Sequence, residues 1–135
     1  MKKLLIALFI FTFISCEKSD PLKDKVILEV KNIMKNPDSF EFVSYEVFKE
    51  IKFKEAKISL PMVKELIDIS SGMEKEKYQK EYSFINNSTD NEKTAIYIVY
   101  LTAKGTNSFG AVIQSKYTVK VLNNKNYDIM YIKEK

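Results

Sequence analysis

The chain has 135 residues, 30% of them charged and 13% aromatic, with a formal net charge of +4, a single cysteine and no histidine. One cysteine excludes an intrachain disulfide. The lack of histidine removes the usual general base and metal ligand, and with them the His form of a serine triad. All 22 cationic residues are lysine, so no guanidinium fork is available for bidentate recognition of carboxylate or phosphate.

Lys2 and Lys3 open the chain, an apolar run of twelve residues follows at 4–15, and Cys16 and Glu17 close it. A basic start, an apolar core and a small residue before the cut are the parts of a secretory signal peptide. The run is too short for a membrane span, which needs about 20 apolar residues. The segment Phe13-Ile14-Ser15-Cys16 resembles the cleavage site of bacterial lipoproteins: Ser15 supplies the small residue, and Phe13 stands where leucine is usual. The resemblance covers residues 1–16. It implies that Cys16 becomes the N-terminus and carries a diacylglycerol and a palmitate. It also implies export and anchoring to the bacterial cell envelope, in the outer membrane rather than the plasma membrane. The expected organisation is a signal peptide at 1–15, the lipidated cysteine and a short tether at 16–20, and one α+β domain at 21–135.

Two of the lysines leave with the leader, so a net charge of +2 remains from residue 16 onward. Charges alternate along the chain, as in Lys49-Glu50 and Lys54-Glu55, instead of forming a basic run. That pattern describes a solvated surface, and no nucleic-acid partner is expected.

Ser19 or Asp20 can cap a helix, and Pro21 suits its first turn. Leu22, Val26, Ile27, Val30, Ile33 and Met34 recur at three- and four-residue spacing, which predicts an amphipathic helix over 22–35. Asn36-Pro37 ends it. Residues 40–48 read as a strand, and 51–59 as its extension or a second strand. Val63, Leu66 and Ile67 give a narrow helical stripe over 61–69. The charged stretch 73–82 suggests another helical turn or two, and 86–92 a polar loop. Strands follow at 95–103, 111–122 and 127–132, joined by short turns, which makes an antiparallel meander. The expected architecture is an N-terminal amphipathic helix packed on a curved antiparallel sheet of about four strands, with a helical insertion after the first strand or strands.

Catalytic signals are weak. Glycine occurs only at 72, 105 and 110, so there is no phosphate-cradling loop. Paired carboxylates are the remaining route to hydrolysis. Glu41 and Glu46 fall on opposite sides of their strand by parity, while Glu74, Glu76 and Glu81 sit among lysines as surface charge. The oxygen-rich loop 86–92 has Asn91 and Tyr97 where a calcium loop needs glycine and glutamate. No metal, cofactor or catalytic residue is expected.

Asn36-Pro37-Asp38-Ser39-Phe40 and Thr106-Asn107-Ser108-Phe109-Gly110 resemble segments of small, mostly uncharacterised bacterial envelope proteins. The resemblance touches about 30 residues and implies no activity. Both segments read as a helix stop and a turn, with Phe40 and Phe109 tucked into the core.

The strand at 95–103 is apolar on both sides, and so is the last strand. By parity, Ile96, Ile98, Tyr100, Met130 and Ile132 share a second face, opposite Tyr97, Val99, Leu101, Ile129 and Tyr131. Either residues 61–82 cover that face, burying Leu66 and Ile67, or it receives a ligand or partner. The functional expectation is therefore a lipid-anchored envelope protein with a non-catalytic binding or structural domain. Its partners would be the membrane, through the lipid, and an envelope protein or glycan. The alternatives are a carboxylate hydrolase of envelope glycans and an inhibitor of an exported enzyme or toxin.

Overall fold

A computed structural model describes residues 19–135. Residues 1–18, on which the expected signal peptide and the expected lipidation site Cys16 fall, lie outside the described residues. The described chain is an α+β fold built on one antiparallel sheet with strand order β1-β2-β3-β4.

Helix α1 (Pro21–Ile33) begins where the Asp20 carboxylate accepts hydrogen bonds from the amides of Leu22 at 3.1 Å and Lys23 at 3.2 Å. Those amides have no partner inside a helix, so the cap stabilises the first turn by roughly 1 kcal/mol. Leu22, Val26 and Val30 form the buried stripe. Ile33 lies off this stripe and is exposed, and Met34 has already left the helix.

Strand β1 (Glu41–Lys52) continues past the expected end at residue 48, and residues 53–58 then fold as a helix, α2 (Phe53–Ile58), instead of a strand. Phe53 and Ala56, three residues apart, are its buried positions. Its first amides are taken by the chain ahead of β2: Phe53 N donates to the Lys93 carbonyl at 3.0 Å and Lys54 N to the Asn91 carbonyl at 3.1 Å. Glu92 adds ion pairs to Lys52 and Lys54, both at 2.9 Å. Those two lysines hold the Glu92 carboxyl down to about 2.

Helices α3 (Leu60–Ile69) and α4 (Gly72–Asn86) follow. The second is much longer than the one or two turns expected. Strands β2 (Thr94–Thr106), β3 (Val112–Leu122) and β4 (Ile129–Glu134) complete the meander.

Two apolar layers hold the sheet. On one face α1 packs its stripe against Val99, Leu101, Ala103, Tyr117, Val119 and Val121. On the other, Phe53, Ala56 and Ile85 from α2 and α4 bury Ala95, Ile96 and Leu122. Helix α3 packs on α4, with Val63 buried but Leu66 and Ile67 only half-buried. The cover for the second face therefore comes from α2 and α4; of the residues 61–82 expected to provide it, the α4 part contributes, while Leu66 and Ile67 on α3 are outside the buried cluster.

Irregularities in the ladder fall at Val43, Phe48, Ala95 and Met130. Each inserts one extra residue and resets which side the next residues face. After Val43, Glu46 pairs with Tyr100, while Glu41 pairs with Lys104. Both carboxylates thus lie on the second face, contrary to simple parity. Their partners are four residues apart on β2, a separation of about 13 Å. After Met130, Ile132 pairs with Val119 and joins the α1 layer, while Tyr131 pairs with Lys120 on the second face.

Candidate functional site: the open part of the second sheet face

The five residues expected to share the second face are divided by the fold. Ile96 is buried under α2 and α4, and Ile98 and Met130 pack around the same cluster. Ile132 is on the opposite side, for the reason given above. Tyr100 lies on the second face and belongs to neither buried cluster.

Around Tyr100 the strands place a distinctive group. Phe48, the extra residue of the β1 irregularity, stacks on the Tyr100 ring with centroids 4.5 Å apart and remains 56% exposed. From the β3–β4 side, Lys116 Nζ sits 4.1 Å and Lys135 Nζ 4.8 Å from the centroid of the same ring. Lys135 is held there by its backbone, whose N–H donates to the Lys116 carbonyl at 2.9 Å. Two ammonium groups over one ring gain from its quadrupole but repel each other.

Further lysines share this face. Lys133 pairs with Thr118, which itself pairs with Tyr100, and Lys49 pairs with Ile98. Lys49, Lys116, Lys133 and Lys135 are exposed, and none makes an ion pair among the described residues. Glu46 is the one acidic group beside Tyr100 in the ladder. Lys104 is offset by Glu41 at 3.6 Å, and Lys120 by Glu81 at 2.5 Å.

The sequence gives no basic run, because each strand contributes a lysine at alternate positions. Pairing the strands side by side concentrates these lysines. The missed signal is that lysine keeps to one parity on each strand, at 116 and 120 and again at 133 and 135, on strands adjacent in a meander.

The Thr118 hydroxyl on this face is buried without a hydrogen-bond partner, as is the Tyr45 hydroxyl on the α1 side. Burial, reinforced by the Asp20 carboxylate, pushes the Tyr45 phenol well above its ordinary range. An unsatisfied buried hydroxyl costs its desolvation. Thr118→Val is therefore expected to raise stability by about 1 kcal/mol in urea unfolding; a loss of stability would mean that this hydroxyl has a partner in solution.

The segments 36–40 and 106–110 meet in space. Asn36 Nδ2 donates to Thr106 Oγ1 at 2.7 Å, and the Thr106 amide donates to Ser39 Oγ at 2.8 Å. Met34 lies against Gly105, where an added Cβ would require the flexible end of the Met34 side chain to move. Together they border a cleft of about 300 Å³, also lined by Ile113, Ser115, Tyr117 and Glu134. Phe40 packs against the α1 layer, but Phe109 is 94% exposed. It occupies a turn tip in which Asn107 Oδ1 accepts from the amides of Phe109 and Ala111, and no element reaches over it.

Other sequence candidates resolve into structural roles. Glu81, expected on the surface, is buried against Lys120. In the 86–92 loop, Asp90 binds the amides of Glu92 and Lys93, while Glu92 pairs with lysines. Among the described residues no cluster of three metal-ligating side chains occurs, and no helix is long and apolar enough to cross a membrane. In comparisons with protein-family models, curated proteins and solved structures, nothing matches the chain.

Proposed function

We propose that this chain is a lipid-anchored protein of the bacterial cell envelope whose domain binds a ligand or partner on the open part of its second sheet face, around Tyr100, without catalysing a reaction. The anchor rests on the layout of residues 1–16, where the single thiol of the chain closes an apolar run. The binding role rests on one observation: an exposed Phe48 stacks on a half-buried Tyr100 with two lysines over the same ring, beside a region of the same face that is fully covered. Aromatic rings and charges are kept out of the core here and yet are brought together, which is the pattern of a recognition surface rather than of packing.

Anchoring is tested by metabolic labelling with palmitate. The full chain is expected to incorporate label and to partition into detergent, whereas Cys16→Ser is expected to remain folded, unlabelled and outside the membrane fraction. Unlabelled full chain in the soluble fraction would overturn the anchor.

A further inference from the structure

We propose that the Tyr100 surface binds an acidic glycan, meaning sugar rings that carry carboxylate or phosphate. This deepens the reading of that face as a binding surface in an envelope-anchored protein.

Lys116 and Lys135 are fixed on one aromatic ring, Lys133 and Lys49 lie on the same face, and no ion pair neutralises any of the four among the described residues. Like charges side by side in a sheet are unfavourable by themselves. An anion held between Lys116 and Lys135 removes that repulsion. Lysine ammoniums are point charges with rotatable donors, suited to anions at varied angles along a polymer.

Ring geometry then selects among polyanions. Phe48 approaches Tyr100 from the β1 side, and the two lysines approach from the β3–β4 side. Both faces of Tyr100 are taken, so it offers no platform for a nucleobase; single-stranded nucleic-acid binders present successive open rings. Phe48 keeps an exposed flank, which suits the apolar side of one sugar ring.

Placement argues against the anchor's own lipid surface. The chain enters the domain at Asp20, the cap of α1, and α1 covers the opposite face of the sheet. With Cys16 in the membrane, residues 17–20 span about 14 Å at most. That short link favours the α1 side toward the bilayer and turns the lysines outward.

The test is calorimetric titration of the full-length lipidated chain in neutral detergent. The probes are an oligogalacturonate, its neutral methyl ester, a phosphomannan oligosaccharide, an oligothymidylate of equal charge and vesicles containing phosphatidylglycerol. At least one acidic glycan is expected to bind, with affinity falling steeply as salt rises, and the neutral ester is not. Lys116→Gln with Lys135→Gln is expected to weaken binding about tenfold or more and to leave the melting temperature unchanged or higher. Lys64→Gln with Lys77→Gln, on the helices, should change neither. Absence of binding to both acidic glycans, equal binding of the neutral ester, or tighter binding to oligothymidylate or vesicles would overturn the proposal. Palmitate labelling is independent of every one of these outcomes, so failure of the glycan and failure of the anchor are distinguishable.

Discussion

Val26→Asp is expected to unfold most of the domain under conditions where the native chain is stable. Val26 is fully buried at the centre of α1, in one cluster with Val30, Val99, Leu101, Val119 and Val121. An aspartate there either ionises without a partner or stays protonated with unmet hydrogen bonds. Together with the lost packing, either route costs on the order of 4 kcal/mol. Domains of this size are stable by roughly 5–15 kcal/mol, so the midpoint of urea unfolding should move far toward zero denaturant. Leu28→Asp, on the exposed side of the same helix, should stay within about 0.5 kcal/mol. Equal behaviour of the two variants would show that the α1 stripe does not face the sheet.

The Glu81–Lys120 pair carries the second large effect. Glu81 is 1% exposed on α4, and its partner Lys120 on β3 is 21% exposed in its side chain. Lys120→Met removes the cation and leaves a buried carboxylate alone, at a cost of roughly 3–5 kcal/mol. Glu81→Leu combined with Lys120→Met takes out both charges, and the double variant is expected to recover most or all of that loss. Chemical unfolding of the two single variants and the double one completes the cycle. Additive losses would mean that the two side chains do not meet. The pair joins α4 to the sheet beside the open face, so it also sets where cover stops.

Much of this architecture was legible along the chain. The Asp20 cap, the proline after it and the spacing of Leu22, Val26 and Val30 define α1, and alternation in 95–103 and 111–122 defines the central strands. What escaped reading depends on contacts between elements. Phe53 and Ala56 are helical because the chain ahead of β2 takes the first amides of α2, beside the Lys54–Glu92 ion pair, whose partners are 38 residues apart in sequence. A single extra residue flips every following side chain, and the irregularities at Val43 and Met130 did so to Glu46 and Ile132. Phe109 looked like a core residue by type, but its place at a turn tip decides its exposure. Lysines that look evenly spread along the chain become a basic surface only once β3 and β4 lie side by side. Tyr100 is the member of the expected face that the helices leave open; the other four are occupied by the two cores.

The second sheet face has a part that α2 and α4 close and a part, around Tyr100, that is proposed to recognise something outside the domain. Placing one photoreactive phenylalanine analogue at position 98 and, in a separate variant, at position 100 of the chain expressed in intact cells tests that division most directly. The account predicts adducts within the chain to α2 or α4 from position 98 and adducts to another molecule from position 100. Intermolecular adducts from 98, or only intrachain adducts from 100, would contradict it.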